Sequence, residues 1–352
     1  MAVLITGAFG FVGTNLSAYL ANQGTEVWAL DVAGAGTSDN YRRSFTWDGL
    51  ETVPWTQIDA VVHLAGKAHD TRRTSEAQAY CEINTGLTRR VLEAWRAGCA
   101  DDATCGPRRR VFILFSSVKA VADEVEGVLT EDAVPAPRTP YGESKLAAER
   151  EVLKFGGSTV RELVAADGAK QANNDNSRTL ELQNLRTYIL RPCMIHGPGN
   201  KGNLNLLFKV ASRRLPWPLG AFDNRRTFAS VGNVCAVVAA LLDGKIEAGI
   251  YQVADDEALS TNELIRLMAE TCGHRPLILK IPAAPIRWTA RIGDWLHLPL
   301  DSERLKTLTE SYVASNAKIK SALGWERMPV DAREGLRVTL EAFGNDVESY
   351  PR

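Results

Sequence analysis

Cysteine is scarce and scattered. The six cysteines, Cys81, Cys99, Cys105, Cys193, Cys235 and Cys272, form no C-x-x-C pair and have no histidine at zinc spacing. That excludes a disulfide-stapled scaffold and a structural zinc site, and no metal is expected. Surplus charge is missing too. Lys plus Arg is 41 against 42 for Asp plus Glu, a net charge of −1, so no bulk field draws nucleic acid or an anionic membrane and only local basic patches remain. No apolar run approaches the ~20 residues that span a bilayer. The opening Met1-Ala2-Val3-Leu4-Ile5-Thr6-Gly7 has no basic segment of a secretion signal, and a cytoplasmic location is expected. There is no internal repeat and no low-complexity tract. What is present is 45% apolar and 24% charged residues over 352 positions, the balance of a globular chain with ample core and length for about two domains.

Short apolar runs alternate with helical patterns over the first half, which predicts βαβ units on a parallel sheet. Strands are expected at Ala2–Thr6, Glu26–Asp31, Asp59–Leu64, Arg110–Ser116 and Arg186–Pro192, with helices over Gly13–Asn22, Tyr80–Ala97 and Tyr141–Phe155. Two stretches, Ala97–Arg109 and Gly156–Leu185, read as polar surface insertions. Cys99 and Cys105 fall in the first of them. After about residue 191 the apolar runs shorten and Pro and Trp increase. The expected division is 1–190 and a smaller, mostly helical 191–352, with one crossing back to the first unit. The Trp-bearing stretch Trp288–Leu298 is expected to pack inside the second unit rather than lie on a membrane, because it is short and weakly basic.

Thr6-Gly7-Ala8-Phe9-Gly10-Phe11-Val12-Gly13 follows a strand and opens a helix. Gly7 suits a tight turn, Gly10 the approach of a backbone to a pyrophosphate, and Gly13 close packing of helix on strand. Asp31 closes the next strand 18 residues after Gly13. A carboxylate there accepts both ribose hydroxyls and repels a 2′-phosphate, which favours NAD over NADP. Arg42 and Arg43 argue the other way but lie further downstream.

Tyr141 and Lys145 stand at i and i+4, on one helix face. An ammonium beside a phenol is expected to lower a pKa that starts near ~10 and so make a base. Ser117, 24 residues earlier at a strand end, supplies a hydroxyl that shares the substrate proton. His63 and His69 are further candidate bases, and His63, at a strand end, reads as structural.

Together T-G-x-x-G-x-x-G, H-L-A-G, the Asn84 helix, F-S-S, Y-x-x-x-K and L-R-P-x-x-x-x-G-P-G resemble the extended short-chain dehydrogenase/reductases of the nucleotide-sugar class. The likeness extends through Ala322-Leu323-Gly324-Trp325 to Gly335-Leu336-Arg337. Ser116-Ser117-Val118-Lys119 is similar to a bacterial subgroup found with polysaccharide genes. The resemblance implies an α/β fold, a Rossmann-type doubly wound parallel sheet with a smaller substrate domain. It implies a catalytic set of Ser117, Tyr141 and Lys145. It implies an NAD site of Gly7, Gly10, Phe11, Val12, Gly13, Asp31, Leu64, Ala65, Gly66 and Asn84, shared with Tyr141 and Lys145. Asn203 and Arg226 are implied contacts of a nucleotide-sugar diphosphate. Asp48 is the candidate for an acidic residue that these proteins carry after the third strand, unless Trp47-Asp48 is a turn.

The implied activity is NAD-dependent 4-epimerisation of a UDP-hexose through a transient 4-keto sugar. An NAD(P)H-dependent reductase of a nucleotide 4-ketosugar would use the same residues. A non-catalytic NAD-binding regulator is a third reading, which the intact Ser117/Tyr141/Lys145 set opposes. Related dehydratases carry an Asp-Glu pair after the catalytic Ser or Thr. Val118 and Lys119 stand there instead, so loss of water is not expected. Lys119 either faces the sugar, holding a 4-keto oxygen or a carboxylate, or turns outward to pair with Asp123 or Glu124. A homodimer through the helices Tyr80–Ala97 and Tyr141–Phe155 is also implied.

Overall fold

The computed structural model describes residues 1–32, 38–67, 76–100, 110–155, 185–200, 202–296 and 302–348. His69, Cys105 and most of both expected insertions lie outside these residues.

Continuous apolar runs make the central strands. β1 (Ala2–Thr6) is buried throughout, and α1 (Phe11–Asn22), β2 (Glu26–Asp31) and β3 (Arg43–Thr46) follow it. Two 3₁₀ turns, Trp47–Thr52 and Trp55–Gln57, lead to β4 (Ala60–His63). Next come α2 (Ala77–Tyr80), a π-helical turn (Cys81–Gly86) and α3 (Leu87–Ala100). β5 (Arg110–Phe115), a 3₁₀ turn at Val118–Ala120, β6 (Val128–Leu129) and α4 (Pro140–Phe155) complete this part. β7 (Leu185–Pro192), β8 (Met194–His196), α5 (Asn203–Ser212), β9 (Phe228–Ser230), α6 (Val231–Leu242) and β10 (Gly249–Val253) come next. The rest is α7 (Thr261–Thr271), α8 (Ala283–Leu296), α9 (Ser302–Thr309), β11 (Val313–Ala314), α10 (Ala317–Leu323) and α11 (Ala332–Glu348).

Seven strands form one sheet in the order β10-β7-β5-β4-β1-β2-β3, and every pairing is parallel. Strand alternation sends successive side chains to opposite faces. Val3, Ile5, Val62 and Ile113 pack under α1 and α6, while Leu4, Val61, Phe112 and Leu114 pack under α3 and α4. This is the doubly wound α/β architecture. Strand order reverses on either side of β1, which opens a crevice at the strands' carboxyl ends. A third core joins Phe208 of α5, Met268 of α7, Ile286 and Ala290 of α8 and Leu336 of α11.

Several expectations need correction. The helix expected over Tyr80–Ala97 is broken by the π turn at Cys81–Gly86. Residues 97–100, read as the start of an insertion, continue α3, and Cys99 is buried with its Sγ 3.9 Å from the Trp55 carbonyl. Trp288 and Trp295 do not pack inward, for they are 66% and 80% exposed. Asp48 is the second residue of the 3₁₀ turn that follows β3 and is exposed, the turn at Trp47-Asp48 that was the alternative reading.

Candidate active site

The loop from β1 into α1 is built by close backbone contact. Gly7 has φ +66°, and a Cβ on Gly13 would come within 2.4 Å of the Ala8 carbonyl oxygen. The Tyr41 hydroxyl donates to that same oxygen at 2.6 Å, and burial pushes its pKa up to about 12, so it stays a donor. Gly10 caps α1 without any side-chain hydrogen bond, and no acid lies in the first turn. Such a helix N-terminus suits a pyrophosphate. Phe11 reaches the Gly-Pro-Gly turn, and Asn15 donates to the Pro198 carbonyl at 3.2 Å. Val12 is partly buried against the first core.

Asp31 ends β2 beside this loop. Its Oδ2 accepts from Phe9 N–H at 2.9 Å and its Oδ1 from Val32 N–H at 2.7 Å. Of the two arginines that argued for NADP, one lies over an aromatic ring and the other is exposed. Arg43 pairs in register with Trp28 and lies 4.6 Å from its ring centre, and Arg42 is exposed at the start of β3. At the end of β4, Leu64 N–H donates to the Thr6 carbonyl and Ala65 N–H to the Thr6 hydroxyl. A Cβ on Gly66 would meet Asn84 Oδ1 at 2.6 Å and Lys145 Nζ at 3.0 Å. Gly66, Asn84 and Lys145 therefore converge.

Asn84 sits in the π turn, a local distortion common at functional sites. Its amide donates to Ser144 Oγ at 2.9 Å, and its Oδ1 accepts from Lys67 N–H at 2.8 Å. Ser144 in turn donates to the Tyr141 carbonyl at 2.8 Å. Tyr141 and Lys145 share one face of α4. The start of that helix presses onto the turn after Ser117, where a Cβ on Gly142 would approach the Lys119 carbonyl oxygen to 2.4 Å. The approach puts Tyr141 in hydrogen-bond contact with Ser117. Lys145 Nζ donates to the Phe115 carbonyl at 2.9 Å.

The electrostatics correct the expected phenol. Burial raises the Tyr141 pKa above its ordinary value, and the Ser117 hydrogen bond only partly opposes that. Lys145 is pushed down to about 8 by burial, with Glu149 acting against the shift. Desolvation, rather than the ammonium, sets the direction of the shift on the phenol. In the free chain at neutral pH, Tyr141 therefore keeps its proton and Lys145 its charge.

His63 is a structural residue. Nδ1 lies 2.7 Å from Thr6 Oγ1 and Nε2 lies 3.0 Å from Thr88 Oγ1. Burial, with Lys145 adding to it, lowers its pKa to about 3, so the ring is neutral.

Lys119 takes neither expected position in full. Its Nζ donates to the Asp123 backbone carbonyl at 2.6 Å and lies 4.3 Å from the centre of the Tyr312 ring. Burial lowers its pKa, and the charge of Arg226 adds to that effect. Arg226 turns inward and donates to the Thr307 carbonyl at 2.6 Å, while Arg225 is exposed and pairs with Glu263 at 3.2 Å. Two cations thus face one region from separate elements. Asn203 is the first residue of α5, and its side chain lies outside the described residues.

The sequence reading missed a buried cluster behind the site. Arg191 of β7 grips Glu149 of α4 through Nε (2.9 Å) and Nη2 (2.6 Å), and Ser116 Oγ donates to the same carboxylate. The L-R-P motif and the i+4 position of Glu149 after Lys145 were the available signals. Tyr312 was also missed. It comes from far along the chain, and its hydroxyl donates to the Val118 and Ala122 carbonyls.

The chain is 27% identical over 356 residues to a UDP-glucose 4-epimerase of Vibrio cholerae, covering 97% of this chain and 95% of that protein. It is 26% identical to a GDP-6-deoxy-D-mannose reductase of Pseudomonas aeruginosa, over 98% of both. Among solved structures, the UDP-glucose 4-epimerase of Thermus thermophilus complexed with NAD shares the fold. Its TM-score is 0.68 at 24% identity, over 98% of this chain and 99% of that one. The sequence profile of the NAD dependent epimerase/dehydratase family matches residues 3–254, and the chain belongs to that family.

Proposed function

We propose that the protein is an NAD-dependent 4-epimerase of a nucleotide sugar, with a UDP-hexose as substrate. One observation carries the reading. Tyr141, in contact with Ser117 and one turn from buried Lys145, stands at the carboxyl edge of the sheet that also presents the uncapped N-terminus of α1. The cradle fits the cofactor. The α1 N-terminus would hold the pyrophosphate, Asp31 the adenosine ribose, Leu64, Ala65 and Gly66 the nicotinamide half, and Lys145 the second ribose. Bound NAD supplies a hydride acceptor and donor and, when oxidised, a positive charge.

The residues act on protons. Beside the positive charges of Lys145 and of the oxidised cofactor Tyr141 would ionise, and its phenolate takes the C4 hydroxyl proton of the sugar as the carbonyl forms while Ser117 shares that proton. The 4-keto sugar turns over between Tyr141 and the cofactor face, and Tyr141 returns the proton to the other epimer. Lys145 keeps positive charge beside the phenol, which favours its ionised form. Arg226 and Asn203 hold the diphosphate, for which an arginine fork is suited. Lys119 borders the sugar. We read the chain as a cofactor unit, 1–190, and a substrate unit, 191–352, laced by the return through α6 and β10. We place it in the cytoplasm, in polysaccharide biosynthesis, as a homodimer through α3 and α4.

The similarity to the GDP-6-deoxy-D-mannose reductase supports a second reading, one-way reduction of a 4-ketosugar. Denaturing the purified protein and assaying the released nucleotide separates the two. Stoichiometric NAD supports the epimerase, and an empty site supports the reductase. Tyr141→Phe should lower turnover by ~10²–10⁴-fold while NAD still binds. Near-normal turnover in that variant would overturn both readings.

A further inference from the structure

Helix α8 carries its largest apolar side chains on the wrong side for a helix that ends at its own core. Ile286 and Ala290 are buried in the third core. Trp288 and Trp295 are 66% and 80% exposed. At about 100° per residue the two tryptophans fall within about 20° of each other, directly opposite Ile286 and Ala290. Arg291 lies beside them on the exposed arc and Arg287 borders it. The extended run before the helix repeats the pattern, with Leu277 57% and Leu279 38% exposed while Ile278 packs against the core. Lys280, also exposed, follows directly.

We infer that the outer face of α8 is a docking surface for an anionic phospholipid bilayer. Among the described residues three exposed cations, Lys280, Arg287 and Arg291, stand here against one acid, Asp294, in a protein whose net charge is −1. Asp294 is engaged locally, accepting from Ser302 N–H at 2.8 Å and Ser302 O–H at 2.6 Å. Tryptophan prefers the headgroup layer, where its ring is apolar and its N–H is wet, and arginine beside it reaches the phosphates. The charge argues for lipid over a second copy. A twofold contact through this face would bring two copies of the same net positive patch together. The helix lies on the surface and does not cross it, for no helix among the described residues is long and apolar enough to span a membrane. An enzyme held in this way would meet its nucleotide sugar at the membrane face.

The test is co-sedimentation of the full chain with phosphatidylcholine vesicles, alone or with about one-third phosphatidylglycerol. The protein should pellet with the anionic vesicles at low salt and leave them as salt rises. Trp288→Ala/Trp295→Ala should weaken binding about tenfold or more with turnover unchanged. Arg287→Gln/Arg291→Gln should abolish the preference for anionic vesicles. The proposal falls if the unmodified protein stays in the supernatant, or if the tryptophan variant binds as well as it does. It also falls if sedimentation velocity shows that this variant loses self-association while neither protein binds vesicles, because the face is then covered by a second copy.

Discussion

Asp31 does two jobs at once. Its carboxylate pins the loop between β1 and α1 through Phe9 N–H, and under the proposed function it also holds an adenosine ribose. Arg43 is held over Trp28, which leaves the Asp31 carboxylate to repel a 2′-phosphate. Asp31→Ala should therefore weaken NAD and narrow the gap to NADP, as removal of a repulsive group does. Titrating both nucleotides against both proteins checks it, and tighter NADP binding by the unmodified chain would contradict the assignment. His63 makes a separate prediction. Its folded pKa of about 3 lies below the ordinary value of 6.5. The unfolded chain therefore binds the extra proton first as pH falls. Stability is full above about pH 6.5 and declines toward pH 3, by up to about 1.4 kcal/mol per pH unit from this group. In His63→Gln, urea unfolding across that window should show a shallower slope. The position of His63 at a strand end was legible in the sequence. The two threonines that close around its ring, Thr6 and Thr88, were not, because they meet it only through the fold.

At the scale of elements, α4 gathers the chemistry. Tyr141, Ser144, Lys145 and Glu149 follow the i, i+3, i+4, i+8 rhythm of one face, so the sequence located the helix and its candidate pair of Tyr141 and Lys145. It did not reveal what lies behind them. Glu149 meets Arg191 across the packing of α4 on β7, 42 residues away. The π turn was equally invisible. A 3.6-residue apolar rhythm reports which side of a helix is buried, and the one-residue shift in hydrogen bonding that turns Asn84 toward Ser144 leaves that rhythm almost intact. Glu149→Gln tests the cluster. It leaves Arg191 buried without its counter-charge, which should cost about 3–5 kcal/mol in chemical denaturation. It also removes the group that resists the drop in the Lys145 pKa. The basic limb of the turnover profile should then move below about pH 8. A stability loss without that movement would make Glu149 a packing residue only.

Over the whole molecule, the division read near residue 191 marks a change of pattern more than a place to cut. β7 ends at Pro192, yet the sheet is completed by β10, which pairs with Tyr188–Pro192 from positions 249–253. The first core needs Val234, Val237, Val238 and Leu241 of α6. Further along, β11 pairs with β6 through Val313 and Ala314, and Tyr312 holds the turn after Ser117. Alternating strands and helices were legible because buried parallel strands are apolar runs. One crossing back was expected, but the segments that make it were not legible, because a short strand such as Gly249–Val253 looks the same whichever sheet it joins. A fragment of residues 1–192 should thus lack one face of its core and expose the β7 edge. It should melt without cooperativity and bind a hydrophobic dye, as chains do when secondary structure persists without packing. A fragment extended to residue 254 restores α6 and β10. It should recover a cooperative transition and NAD binding, but no turnover, since Tyr312 and its contacts to the Ser117 turn are still missing. Circular dichroism melts and an NAD titration on the two fragments decide the point. A cooperative 1–192 fragment that binds NAD would show that the return strand and helix decorate the cofactor unit rather than complete it.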